Sequence, residues 1–253
     1  MKITILGTGT STGVPQIGCQ CAVCTSSDPR DRRLRCSALF ETEKTTLLVD
    51  CGPDFREQML HIGMRKAIDA CLITHEHYDH VGGLDDLRPF SALQSVKICA
   101  APEVAKSIRK NLFYCFSEHP YPGSPHLTMH EVCDFAPFSL GSLTVVPVRV
   151  MHGRLPIMGF RIGRLAYITD MSGMEEAEMQ KLRGTETLVV NALRHEPHPT
   201  HQSLKEAVAF AQHVGARQTY FIHMSHGAGL QKDSETMLPD NVHFAYDGLE
   251  IEV

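Results

Sequence analysis

The chain has 253 residues, with 24 Lys+Arg against 29 Asp+Glu and a formal net charge of -5; 43% of residues are hydrophobic and 21% charged. This balance excludes a disordered chain, a collagen-like repeat and a basic nucleic-acid-binding tail, and it leaves enough apolar mass for a sizeable core. No apolar run reaches the roughly 18–20 residues that span a bilayer, and the opening MKITILGTGTSTGV reads as a first strand instead of a signal peptide.

Short β-rich runs alternate with helical stretches. Strands are predicted at Ile3–Leu6, Ala38–Glu41, Thr46–Asp50, Ala70–Thr74, Lys97–Ala100, Leu143–Val150, Ile157–Ile162, Leu165–Thr169, Thr187–Asn191, Gln218–Ile222, His243–Tyr246 and Glu250–Glu252. Helices are predicted at Pro53–Ile62, Leu84–Ala92, Pro102–Arg109, Glu175–Leu182, Leu204–His213 and Ser234–Met237. The fifth carries Leu204, Ala207, Val208 and Ala211 on one apolar face. Turn signals at Cys51-Gly52-Pro53, Val81-Gly82-Gly83 and Gly163-Arg164 punctuate these elements. Two stretches are irregular, Thr8–Arg35 and Ser117–Pro125. A loop as long as the first is expected to be functional or held in place. With no linker composition and no repeat, one domain is expected over residues 1–253: α/β, two packed sheets with helices outside.

The nine Cys are an odd number. Without a signal peptide, this argues against a disulfide framework and for a reducing, cytoplasmic compartment. Cys51, Cys71, Cys99, Cys115 and Cys133 stand singly and read as small buried apolar residues. Cys19, Cys21 and Cys24 differ, because C-x-C-x-x-C cannot pair all three thiols and its spacing suits one tetrahedral ion. His226, three residues after His223, is the best candidate for the fourth ligand. A closed site of this kind would tie down a long amino-terminal loop that has almost no apolar core of its own; structural zinc can supply on the order of 10 kcal/mol.

The fifteen His cluster as well, most densely in Leu72-Ile73-Thr74-His75-Glu76-His77-Tyr78-Asp79-His80. An apolar strand ends and four metal-ligand types follow within six positions. On an extended backbone His75 and His77 point the same way and reach one ion. Asp79 and His80 come after the chain turns and reach a second. Glycines 82 and 83 let the backbone bend before a helix. Imidazole and carboxylate together suit Zn²⁺, Mn²⁺ or Fe²⁺. Two dications about 3.5–4 Å apart can share a hydroxide and bring its pKa towards neutrality.

H-x-H-x-D-H after a buried strand resembles the signature of the metallo-β-lactamase superfamily, and the resemblance runs through the whole chain. It implies a four-layer αββα sandwich and three further ligands, which fall on His152, Asp170 and His223, each after an apolar run. By this resemblance His75, His77 and His152 hold one metal, Asp79, His80 and His223 the other, and Asp170 bridges. Asp50 matches a conserved Asp that orients a ligand imidazole, although an Asp also suits the turn before Cys51-Gly52-Pro53. Superfamily members that reduce oxygen or nitric oxide at two irons generally carry an acidic residue where this chain has His77. A hydrolytic pair of Zn²⁺ or Mn²⁺ is therefore preferred.

The cysteine knuckle and Thr200-His201-Gln202-Ser203-Leu204 are similar to the phosphonate-pathway phosphodiesterases, the branch that hydrolyses phosphoribosyl cyclic phosphate. That branch pairs two catalytic metals with one structural zinc held by three Cys and one His. It implies His201 near the substrate phosphate, as general acid or phosphate clamp, with capping of the following helix as the alternative role. Arg194, His195 and His198 share the segment, but their spacing assigns them no role. The expected function is hydrolysis of a small, cyclic or acyclic, phosphodiester, with a homodimer left open. Three rivals remain: a tRNA-processing endonuclease, a pyrroloquinoline-quinone-type cofactor-biosynthesis enzyme and a non-catalytic metal-binding protein. The acidic net charge argues against RNA and a membrane partner is not expected. The one dense basic run, Arg30 to Arg35, reads as a solvated loop balanced by Asp28 and Asp31.

Overall fold

The computed structural model describes residues 1–63, 66–92, 94–117, 119 and 121–253. Glu118 and Pro120 of the irregular stretch predicted at Ser117–Pro125 lie outside the described residues.

The first sheet contains β1 (Lys2–Gly7), β2 (Ser37–Glu41), β3 (Thr46–Val49), β4 (Ala70–Leu72), β5 (Val96–Ala100), β6 (Leu127–Glu131) and the last strand, β14 (Glu250–Glu252). Its spatial order is β14-β1-β2-β3-β4-β5-β6. The second contains β7 (Phe138–Leu140), β8 (Leu143–His152), β9 (Leu155–Ile162), β10 (Leu165–Ile168), β11 (Thr187–Asn191), β12 (Gln218–Ile222) and β13 (Val242–Phe244), each beside its neighbour in sequence. From β3 to β6 and from β10 to β13 the strands are parallel. Parallel neighbours need crossovers. Among the helices that supply them are α1 (Phe55–His61), α2 (Tyr78–Val81), α3 (Arg88–Ser91), α4 (Pro102–Asn111), α5 (Glu176–Met179), α6 (Leu204–Val214) and α7 (Ser234–Met237).

Strand alternation explains the layers. Phe40, Leu47, Val49 and Leu72 of the first sheet meet Val145, Phe160, Ile162 and Tyr167 of the second in the central core. Their sequence neighbours Leu39, Leu48, Cys71 and Ile73 face outward and pack against Phe55, Met59 and Ile108 of the helical layer. On the far side, Val150, Ile168, Leu188 and Val190 are covered by Leu204, Ala207, Phe210 and Ala211 of α6. The result is the αββα sandwich. Among the described residues, no helix is long and apolar enough to cross a membrane.

Several expectations need correction. β6 and β7 were not predicted, because each is the outermost strand of its sheet and neither shows a clean apolar alternation. The helix predicted over Leu84–Ala92 is a 3-10 turn at Leu84–Leu87 followed by α3, with Pro89 near the start of α3. The stretch Glu175–Leu182 divides in the same way, into α5 and a 3-10 turn at Gln180–Leu182. In α6 the buried face uses Phe210 where Val208 was expected, and Val208 is half-buried. Cys133 is exposed, whereas Cys51, Cys71, Cys99 and Cys115 are buried as expected.

The Thr8–Arg35 segment is held in place as expected, but the run from Arg30 to Arg35 is only partly solvated: Arg30 and Arg32 are exposed and Arg33 is not. Arg33 is 1% exposed and donates to the carbonyls of Ser225 and Gly229 at 3.0 and 2.7 Å. Asp31, also buried, takes the Gln231 N–H at 2.7 Å. Asp247 accepts from Thr8 and from the Leu34 N–H. Polar anchors do here what the expected lack of apolar core could not.

Candidate metal centre

The carboxyl ends of β3, β4, β8, β10 and β12 open at one edge of the sandwich, where ligands of open α/β sheets are held. Asp50, His75, His152, Asp170 and His223 follow or end these strands. Asp50, Asp170 and His223 each adopt a left-handed backbone, with φ of 57°, 56° and 53°. Such conformations are uncommon for side chains other than glycine and cluster at functional sites. The chain meets Gly52 and Gly83 where α2 is seated: a Cβ on Gly52 would lie 2.1 Å from the Asp79 carbonyl, and one on Gly83 would lie 2.0 Å from the Gly52 carbonyl. These two positions allow α2 to bring Asp79 and His80 against the strand ends.

Two ligand groups result. Donor atoms of His75, His77 and His152 come together, as do those of Asp79, His80, Asp170 and His223. His77 keeps an extended backbone at φ -62°, ψ 147°, and its Nδ1 lies 3.0 Å from His75 Nε2. In the second group, His223 Nε2 is 3.0 Å from Asp170 Oδ1, and His80 Nε2 is 3.3 Å from Asp170 Oδ2 and 3.2 Å from Asp79 Oδ2. Asp170 also groups with His152 and His201, so it stands between the two sets. All seven residues expected as ligands are brought into this one site.

Their orientation comes from groups behind them. Asp50, fully buried, sits 2.7 Å from His80 Nδ1 and accepts the Thr74 N–H at 2.8 Å. The Thr74 hydroxyl lies 2.9 Å from Asp50 Oδ2 and 3.0 Å from His75 Nδ1, so Asp50 also orients His75 through it. His152 Nδ1 is 3.0 Å from the Thr200 carbonyl, which leaves Nε2 as the open nitrogen. Sequence reasoning missed two supports: this carbonyl, and the buried Cys36 thiol 3.1 Å from the His223 N–H. Neither has a spacing signature, because a backbone carbonyl belongs to every residue and Cys36 looks like any core cysteine.

The electrostatics test whether cations fit. Burial disfavours charge on His80, yet Asp170 and Asp50 hold it well above the usual imidazole range. His223 is raised to about 9 against burial, by Asp170 and Asp79. Asp170 is held far below the carboxylate range despite burial, by His223 and His80. Conversely, burial and His80 push His75 well down, and burial and His152 lower His77. His80 Nε2, both nitrogens of His223 and His201 Nδ1 are buried and satisfied by no hydrogen bond among the described residues. Converging nitrogen and carboxylate atoms, some of the nitrogens buried without a hydrogen-bond partner, form a donor set that divalent cations fit.

His201 is mostly buried beside this set. Its ring lies 4.7 Å from His152 and 4.8 Å from His223, and Nδ1 is 3.8 Å from Asp170 Oδ1. Burial, with His223 next, lowers it to about 3. The capping alternative does not hold, because Ser203 caps α6 in a reciprocal box with Glu206. His198 lies 5.1 Å from the His201 ring, its Nδ1 accepting the Thr200 N–H at 3.4 Å. Arg194 instead donates to the carbonyls of Glu196 and Pro197 and shapes the loop; His195 is exposed.

The knuckle forms a separate group. His226 Nδ1 stands 3.1, 3.4 and 3.5 Å from the sulfurs of Cys19, Cys21 and Cys24. Those separations match the edges of a tetrahedron about one zinc, with bonds of about 2.3 Å to sulfur and 2.0 Å to nitrogen. The segment from His223 to His226 therefore serves both groups, and backbone bonds from Thr10 N to Met224 O and Met224 N to Thr8 O tie it to the amino-terminal loop.

Residues 45–224 match the beta-lactamase superfamily domain. Over 252 residues the chain is 45% identical to the octanoyltransferase of Porphyromonas gingivalis, a match that takes in 99% of this chain and 51% of that relative, so the chain spans about half its length. Among solved structures it is similar to a diphosphatase from the PhnP family, with TM-score 0.92, 41% identity and coverage of 100% of this chain and 97% of that one. It is also similar to Zn(2+)-bound PqqB from Methylobacterium extorquens, with TM-score 0.82, 19% identity and full coverage of both. That second likeness is one of fold.

Proposed function

Because this chain belongs to the beta-lactamase superfamily, we propose that its metal centre hydrolyses a small phosphodiester, with two Zn²⁺ or Mn²⁺ ions on His75, His77, Asp79, His80, His152, Asp170 and His223. The observation that carries the reading is the convergence of the seven donor residues, with buried nitrogens of His80 and His223 left without a hydrogen-bond partner among the described residues and two further imidazoles beside them. The likeness to the PhnP-family diphosphatase supports phosphorus as the atom attacked. Bound there, the ions would activate water and neutralise charge on the phosphoryl oxygens.

The chain's own groups do the rest. Asp50 fixes His80 directly and His75 through Thr74. His198 accepts at Nδ1 from a backbone N–H, so as a neutral ring it carries its proton on Nε2 and donates from there. His201 and His198 together form a clamp for phosphoryl oxygens; burial keeps His201 neutral, so it serves the leaving alkoxide as a hydrogen-bonding partner and not as a proton source. Cys19, Cys21, Cys24 and His226 would hold a structural zinc, which would tie the amino-terminal loop to the turn that carries His223.

The net charge of -5 favours a small substrate over tRNA. Octanoyl transfer is not carried over, since about half of the relative of that name lies outside the match. The test pairs metal analysis with a panel of bis(p-nitrophenyl) phosphate, cyclic phosphates and diphosphate esters, under Mn²⁺ and Zn²⁺. Three metals per chain and diester cleavage are expected. Metal-loaded protein that cleaves none of them would end the reading.

A further inference from the structure

A cavity of about 460 Å³ adjoins the metal centre, and the residues of the reaction above leave it unused. It reaches His75 and Glu76 on one side and Leu155, the cross-strand partner of His152, on the other. Val104, Val132 and Leu155 supply apolar walls. On another wall the guanidinium of Arg149 lies 4.3 Å from the centre of the Phe135 ring. Arg149 is exposed and has no ion-pair partner among the described residues. Phe135 and its neighbour Asp134 both hold positive φ, 51° and 52°. A bulky L-residue rarely adopts that conformation, and where it persists it is held by its surroundings at ligand clamps and active sites. Glu76, Glu103 and Asp134 place three carboxylates, acceptors only, around the same space.

These features select an occupant. A saturated acyl chain would use the apolar walls and leave the carboxylates without donors. A second phosphate would meet three carboxylates against the single guanidinium of Arg149. A flat heterocycle bearing amino groups uses everything present: it stacks on the guanidinium plane, packs against the apolar walls and donates from its edge to the carboxylates. The Arg149–Phe135 stack is already formed, which lowers the ordering cost of binding. Resting on the phosphodiesterase reading above, we propose that this cavity holds the base of a nucleoside phosphodiester, an amino-bearing base such as adenine or guanine, while the phosphate lies at the metal centre.

The test compares p-nitrophenyl esters of adenosine and guanosine 5′-phosphate with methyl p-nitrophenyl phosphate, which shares the leaving group and lacks the base. The nucleoside esters are expected to show KM lower by about tenfold, the scale of one base stack. Phe135→Ala and Arg149→Gln are each expected to erase most of that advantage, and the ratio between esters cancels any general loss of folded enzyme. Calorimetric titration with adenosine and guanosine 5′-monophosphate gives a second readout, with Kd rising about tenfold in Arg149→Gln. Equal KM for methyl and nucleoside esters, or an advantage unchanged in both variants, overturns the assignment. If no ester is cleaved, the phosphodiesterase reading fails and calorimetry still decides the cavity. Nucleotide binding weakened by Arg149→Gln upholds it; no binding, or binding indifferent to the substitution, refutes it.

Discussion

Replacing Asp50 by asparagine removes one negative charge and one acceptor from the buried floor of the metal centre while keeping the side chain's shape. The carboxylate faces His80 Nδ1 at 2.7 Å and takes the Thr74 N–H and hydroxyl at 2.8 and 2.9 Å. An asparagine oxygen still accepts from Thr74, but its amide N–H then meets the N–H of His80. Either two donors face each other or His80 moves its proton to Nε2, the nitrogen turned towards Asp79 and Asp170, and closes it to a cation. Asparagine tolerates the positive φ of this position, so the backbone does not confound the result. A hydrogen bond to a charged group contributes about 1.5–3 kcal/mol, or roughly 10- to 150-fold in an equilibrium constant. Removal of such a supporting group from a metal ligand costs about 10–100-fold in affinity, the same range. Competition between the protein and a chromophoric chelator for Zn²⁺ at pH 7.5 measures it. The expected result is one ion weakened by about 10–100-fold in a protein whose folded circular dichroism is retained. Wild-type affinity for every ion would show that Asp50 does not orient His80 for metal.

Cys21→Ser is expected to lose one metal per chain by elemental analysis and to speed hydrogen exchange over residues 16–26, while Arg33 and Asp31 keep residues 29–35 protected; unchanged metal content would contradict the knuckle. His201→Ala should lower kcat on bis(p-nitrophenyl) phosphate by about 100-fold with its metal content intact, and normal turnover would refute the clamp. Ser203→Ala removes the cap of α6 and should destabilise the protein by about 1 kcal/mol in urea unfolding at pH 7. Hydrogen bonds from the Ser203 side chain and backbone hold the Glu206 carboxyl below its usual range. This contribution is therefore present above the unfolded pKa and is lost as pH falls through the lowered value. The gap between wild type and variant should narrow in acid, and a gap that does not change with pH would rule out the box.

Much of the candidate donor set was legible because the family resemblance falls on residues where local sequence changes character. Leu72-Ile73-Thr74 before His75, Val49 before Asp50, Ile168-Thr169 before Asp170 and Ile222 before His223 all mark an apolar strand ending in a donor. The knuckle was legible for a different reason: three ligands within six residues constrain one another by chain geometry alone. Less was legible in the fold's margins. β6 and β7 lie at sheet edges, where a neighbour's backbone decides the pairing and no apolar alternation is required. Arg33 read as part of a solvated charge run, yet it is buried under carbonyls nearly two hundred residues away.

The amino-acid order by itself determined most of the strands and the two dense groups of candidate donors, H-x-H-x-D-H and C-x-C-x-x-C, because periodicity and short spacing are local properties of the chain; His152, Asp170 and His223 followed only from the family resemblance. Only the tertiary structure decided that Asp50 supports His80 and His75, that Cys36 holds the His223 N–H, and that Phe135 and Arg149 wall a cavity beside His75. Those partners are brought together by sheet packing, and a contact made through a backbone amide, a buried thiol or a shared cavity wall imposes no spacing that a sequence could display.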